Sequence, residues 1–256
     1  MTLDDFVMLG TTVPEPCHDG RVFVCSAGVS AELGGLVRVY PLARRCVPHR
    51  WGVFRVPLER NPEDARRESF KVRGDRRPGE HERINGCFEP LGNLPDSARA
   101  RLLRPCTVAS IADANARRAS LALLRPIGGV EVVFRHNPDS PDSPQLRLFE
   151  EEHDRSTVGS RRFPFQPYLR FADDDGEHAL QIRDWGAYEF IRKHLDEPDY
   201  YRGHLAAALH LSPSSCLLVG NMSHQRTTWL VISVLNHVLP GQQLELGLDG
   251  PIEVPA

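Results

Sequence analysis

Arg21-Val-Phe-Val-Cys25, Leu36-Val-Arg-Val-Tyr40 and Gly52-Val-Phe-Arg-Val-Pro-Leu58 are short runs rich in β-branched and aromatic residues, with turn-forming residues between them. Such runs suit a pleated, half-buried surface and read as consecutive strands. Ser69-Phe-Lys-Val-Arg73 is a fourth, weaker strand of the same kind. Outward from this core, Pro95–Ala116 has a helical pattern broken at Pro105, because proline removes a donor and clashes with the preceding turn. Residues 119–125 and 130–136 read as a hairpin across Ile127-Gly128-Gly129.

Asn137-Pro-Asp-Ser-Pro-Asp-Ser-Pro144 alternates proline with Asp-Ser, which precludes a regular ladder and favours an extended, solvated connection. The acidic Glu150-Glu151-Glu152-His153-Asp154 prolongs it. The expected organisation is therefore a basic β-rich module over 1–140, a Pro/Ser/acidic linker over 137–160, and an α+β module over 161–256. In the last, Phe163–Phe171 alternates as a strand, Asp173-Asp174-Asp175-Gly176 turns, and His178–Arg183 returns. Asp184 is placed to cap a helix over Trp185–Leu195, and Pro198 to open a second through about His210. Cys216–Gly220 and Thr227–Val238 end the chain's apolar pattern. Within the latter, Trp229-Leu-Val-Ile-Ser-Val-Leu235 is apolar on both faces, as a central strand is. The fold class that follows is mixed, β-rich α+β: two small barrel-like or half-open sheet modules with a few helices.

The chain has 256 residues, 41% of them hydrophobic and 25% charged, which excludes a largely disordered polymer. No apolar run approaches the roughly 18 residues of a membrane span. The acidic start, Met1-Thr2-Leu3-Asp4-Asp5, is unlike a secretory signal, and the cysteines (Cys17, Cys25, Cys46, Cys87, Cys106, Cys216) form no C-x-x-C pair. Both features point to reduced thiols and a cytoplasmic location.

Phosphate-cradling G-x-x-x-x-G-K-[ST] and G-x-G-x-x-G patterns are missing from the sequence, as are H-E-x-x-H and G-x-S-x-G. A PD-(D/E)xK nuclease needs lysine two places after a carboxylate; Lys71 follows Ser69 and Lys193 follows Ile191, so neither qualifies. Cys17-His18 with Cys46-x-x-His49 has the donor types of a zinc site, but that spacing is unspecific and the residues read better as turn residues. The Asp173–His178 segment lacks the alternate-position ligands of a calcium loop and reads as a hairpin tip. No metal site and no cofactor are assigned. His81, His204, His210, His224 and His237 stand in no recognisable nucleophile context. The loop Gly220–Arg226, between two apolar strands, is a further place where function gathers.

Charge is uneven. Up to Gly128 there are 20 Lys+Arg against 15 Asp+Glu, and the remainder has 11 against 19. Between Arg38 and Arg77 the count is 12 basic to 5 acidic. That asymmetry suits an anionic partner, or a basic half docked on an acidic half of the same chain. Basic and aromatic residues interleave there, as in proteins that hold single strands with cations on phosphates and rings on bases. The candidate nucleic-acid-binding residues are Arg38, Tyr40, Arg44, Arg45, Trp51, Arg55, Lys71 and Arg73.

Pro167-Tyr-Leu-Arg-Phe171, the acidic turn ending at His178, Ile182-x-Asp184-Trp185 with Tyr188-Glu189, and Leu217-Leu-Val-Gly-Asn221 together resemble a group of uncharacterised prokaryotic proteins with tandem OB-like barrels. The resemblance implies a two-barrel fold and nucleic-acid contact, with no assigned catalysis. Cysteines flank the turn histidine in that group and none flanks His178, so no metal role is carried over. The expected function is binding of nucleic acid, single-stranded DNA or RNA, by the N-terminal module. The alternatives are a hydrolase or nuclease whose Asp/Glu/His groups converge only in three dimensions, such as Glu68 or Asp184 beside a histidine, and a protein–protein adaptor.

Overall fold

A computed structural model describes residues 1–16, 22–43, 47–74, 87–137, 140 and 163–236. The first sheet comprises β1 (Thr2–Thr11), β2 (Glu15–Pro16), β3 (Val22–Ser30), β4 (Gly35–Ala43), β5 (Gly52–Arg60), β6 (Ser69–Val72) and β7 (Glu89–Asn93). Its strands run in the order β1-β3-β4-β6-β5, and a β1–β5 pairing closes the ring into a barrel. Only the β4–β6 contact in that ring is parallel; the others are antiparallel. Irregularities at Leu3/Phe6 and Met8/Gly10 in β1, and at Val24/Ser26 in β3, bend the strands as barrel closure requires. β7 extends β5 outside the ring, and β2 pairs with the start of β3.

Alternation divides these strands cleanly. Phe6, Met8, Val24, Val37, Val39, Phe54, Val56 and Leu58 fill the barrel. Val7, Leu9, Ala27, Val29 and Leu36 point outward, yet they are buried as well, because they pack on a second sheet. β1 is thus apolar on both faces.

After β7 come α1 (Asp96–Leu103), a 3-10 turn (Arg104–Cys106), β8 (Thr107–Val108), α2 (Ile111–Ala116), β9 (Leu121–Leu124) and β10 (Ile127–His136). The chain then supplies β11 (Phe165–Asp173), β12 (Gly176–Ile182), α3 (Trp185–Lys193), α4 (Pro198–Ala208), β13 (Cys216–Asn221) and β14 (Trp229–Leu235). The second sheet runs β10-β11-β12-β14-β13-β9-β8. Leu121, Leu123, Leu218 and Ile232 face the barrel, while Leu169, Phe171, Ile182, Val219 and Val231 face the helices, where Tyr188, Ile191, Tyr201 and Leu205 meet them. The molecule is a barrel, a sheet and a helical layer stacked in that order, consistent with the β-rich α+β class and its barrel-like modules.

One local expectation differs. β9 and β10 do not form a hairpin: β9 pairs with β13 and β8, and β10 with β11. Leu121–Leu124 is buried on both faces, so it inserts beside the equally apolar β13 rather than folding back on the half-exposed β10. The crossing from the first sheet to the second falls between Asn93 and Thr107. β10 and β11, on either side of that proline-rich segment, pair in register from Glu131↔Arg170 to His136↔Phe165. The segment itself, apart from Asn137 and Ser140, lies outside the described residues.

Candidate functional site

The seam between barrel and second sheet takes up much of the basic stretch. Arg38 is 3% exposed; it donates from Nη2 to the Ser120 carbonyl at 2.7 Å and from Nη1 to Cys25 Sγ at 3.1 Å. Arg66, also buried, forks onto Asp64 (Nη2 to Oδ2 2.5 Å) and reaches the Asn221 carbonyl from Nη1 at 2.6 Å. Burial pushes the Asp64 carboxyl up, but hydrogen bonds from the Arg66 guanidinium and the Arg66 backbone outweigh it and hold the pKa at about 2. Glu68 accepts from Ser120 N (3.0 Å) and Ser120 Oγ (2.9 Å). At the other end of the seam Arg50 bonds Asp184 (3.1 Å) and the Val234 carbonyl (3.2 Å), while Ser233 donates to the same Asp184 oxygen. The backbones approach closely enough here that a Cβ on Gly10 would lie 2.5 Å from Ser233 Cβ, and one on Gly220 3.1 Å from Arg38 Nη2.

The residues singled out from the sequence are therefore dispersed. Arg38 is a seam residue. Arg55 is paired with Asp4 (2.5 Å) and Glu89 (3.2 Å), and Lys71 with Glu59 (2.7 Å). Trp51, half-buried and at φ 66°, carries the Arg99 guanidinium 4.3 Å above its ring. Tyr40 is half-buried, and Arg73 is exposed. Arg44 and Arg45 lie outside the described residues, as do Cys17, His18 and Cys46. His49 bonds Asn93 Oδ1 (2.7 Å) and meets the edge of Phe54. Among the described residues no three His, Cys, Asp or Glu side chains converge as a metal site would need.

The acidic turn has a structural partner. Asp173 accepts from Ile111 N (2.9 Å) and Asp175 N (2.9 Å) and pairs with His178 Nε2 (2.8 Å), and Asp175 accepts from Ala112 N (3.2 Å). The turn thus anchors the start of α2. Burial pushes the Asp173 carboxyl up, and the Ile111 N–H with His178 more than reverses this, leaving it lowered. Asp184 caps α3 by accepting from Ala187 N (3.1 Å). Asn221, the last residue of β13, donates to the carbonyls of Ala119 and Arg226.

The feature the sequence did not disclose is a cleft of about 480 Å³ along the seam. Its apolar lining is Leu36 and Phe70 from the barrel with Val108 and Leu121 from the second sheet, all buried. Arg67 and Arg117, both exposed, and Glu68 supply its charges. Arg67 donates to the Arg117 carbonyl (3.2 Å), which holds the two arginines together across the junction. Arg117 Nε bonds Asp113 (2.7 Å), a contact that also lowers the Asp113 pKa. Cys106 lines the same cleft, and burial pushes its thiol up to about 11, so it stays protonated at neutral pH. Ligand clefts run from about 300 to 1,000 Å³ with apolar walls and a few placed polar groups, and this one fits that description.

Residues 3–86 match a family described as a domain of unknown function (DUF8758). That match spans the ring strands of the barrel. No curated protein and no solved structure matches the chain. No helix among the described residues is long and apolar enough to cross a membrane.

Proposed function

We propose that this protein binds single-stranded nucleic acid in the seam cleft, with a base against the apolar lining and flanking phosphates on Arg67 and Arg117. The observation that carries the reading is the coincidence of ring order and cleft position. Numbering only the ring strands along the chain, the barrel closes as 1-2-3-5-4-1 with strands 3 and 5 parallel. We read this as an OB-type barrel, a family of small barrels in which the 4–5 loop is among the elements that take oligonucleotides; here the second sheet covers the outer face of ring strands 2 and 3, and the loop stays at the seam. The cleft is lined by the turn between ring strands 2 and 3 (Leu33, Gly34), the start of the third (Leu36) and the loop from the fourth to the fifth (Arg67, Glu68). Phosphate contacts of this kind supply affinity that falls with salt, and an apolar wall rewards unstacked bases over a closed duplex.

The reading keeps the partner class inferred from the sequence and moves the contact from the strand residues to the cleft. It is compatible with a cytoplasmic protein whose Cys25, Cys87, Cys106 and Cys216 are free thiols. The experiment is fluorescence anisotropy of the purified chain with labelled single-stranded DNA, single-stranded RNA and duplex DNA at low and moderate salt. Submicromolar binding to a single strand, weakening steeply with salt, is expected. Failure to bind any of the three at low salt overturns the reading.

A further inference from the structure

We infer that Glu68 makes the cleft selective for bases that present an amino group, cytosine, adenine and guanine, over thymine and uracil. The inference rests on the nucleic-acid reading above and assigns the chemistry of its base contact.

Glu68 is fixed from both sides. Its carbonyl accepts from Arg38 N at 2.7 Å, tying the backbone to β4, and Ser69 after it is fully buried. Its carboxylate is held by the backbone and hydroxyl of Ser120 across the seam, one hydrogen bond to each oxygen. Among the described residues no lysine or arginine pairs with it. An ionised carboxylate is acceptor-only, with about four lone-pair positions over its two oxygens. Ser120 occupies two, and Glu68 lines the cleft together with Leu36, Phe70, Val108 and Leu121.

A group that only accepts, set in apolar surroundings, discriminates by what it leaves unpaired. The exocyclic N–H donors of cytosine, adenine and guanine satisfy it, and carboxylate to cytosine N4 is a known pairing of this type. Thymine and uracil offer a single ring N–H flanked on both sides by carbonyl oxygens, so any approach sets acceptor against acceptor. The neighbouring guanidiniums of Arg67 and Arg117 serve all bases alike, because they meet phosphate. Affinity and selectivity therefore reside in different residues of the same cleft.

The test measures anisotropy with labelled oligo-dC, oligo-dA and oligo-dT of equal length, on the parent and on Glu68→Gln. Glutamine keeps both Ser120 contacts, its oxygen accepting from N–H and its amide donating to Oγ, while replacing one acceptor by a donor. The parent is expected to bind oligo-dC and oligo-dA about tenfold more tightly than oligo-dT. In Glu68→Gln that ratio is expected to shrink to about twofold or less, with an unchanged thermal midpoint. Equal parental affinities overturn the inference, and do so even if the variant fails to fold. A preference that survives in Glu68→Gln overturns the role given to Glu68. No binding of any oligonucleotide at low salt overturns the nucleic-acid reading itself, which distinguishes that failure from the other two.

Discussion

Arg66 and Arg67 are adjacent in the chain and opposite in fate. Arg66 is buried in the seam, ion-paired with Asp64 and bonded to a carbonyl of the second sheet. Arg67 is exposed, touches the second sheet through one hydrogen bond and lines the cleft. The contrast extends to their groups. Arg38, Arg50 and Arg66 join the layers, whereas Arg67 and Arg117 face an open volume. A basic stretch is a total over side chains that a strand distributes to opposite faces. Once one of those faces is covered by another sheet, the count overstates the charge left for a partner.

That difference can be broken most sharply by stability. Arg66→Ala leaves the buried Asp64 without its cation and the Asn221 carbonyl without a donor, and is expected to cost about 3–5 kcal/mol in urea titration. Arg67→Ala is expected to leave the urea midpoint in place. Similar losses from both would erase the distinction between seam and cleft.

Acid titration sharpens the same point with an effect on the order of 2 kcal/mol. The folded pKa of Asp64 is depressed from 3.8 to about 2. Its contribution is therefore fully present above about pH 4 and disappears as pH falls toward 2. Asp64→Asn should be less stable than the parent at pH 5, and the deficit should fade toward pH 2; a deficit independent of pH would contradict the ion pair. Arg38→Ala removes the donor to the buried Ser120 carbonyl and is expected to cost about 1–3 kcal/mol by the same titration. The smallest effect is expected at Arg55→Ala, an exposed pair with Asp4 and Glu89 on the outer wall, where the urea midpoint should not move. A clear drop there would mean that the outer wall carries structural load the seam was assigned.

Much of the barrel was legible because its strands alternate: residues 22–25, 36–40, 52–58 and 69–72 of the runs read from the sequence lie in strands. The Asp184 cap and the apolar β14 were legible for similar local reasons. β1 was not, because Leu3-Asp-Asp-Phe-Val-Met-Leu-Gly carries charges at its start and an unbroken apolar run after them, a pattern that follows from burial between barrel interior and seam. The crossing at 93–107 was hidden by a stronger punctuation signal, the Pro-Asp-Ser repeat, which falls inside the second sheet's own strand order. The cleft was the least visible. Leu36, Arg67, Glu68, Phe70, Arg117 and Leu121 come from three separate segments, and no spacing rule links them before the sheets are stacked. Of the interleaved aromatics, Trp51 has a ring face covered by Arg99, and Tyr40 is half-buried.

The central claim is that the cleft arginines, not the outer-strand cations, meet the ligand. Its most direct test compares two double variants with the same change in net charge, Arg67→Glu/Arg117→Glu and Arg55→Glu/Arg73→Glu, by anisotropy on a labelled single strand at about 50 and about 200 mM salt. The account predicts that the cleft pair loses at least about tenfold in affinity and flattens the salt dependence by about one contact per arginine, while the outer pair binds as the parent does. Loss of binding in the outer pair with the cleft pair unaffected would contradict it.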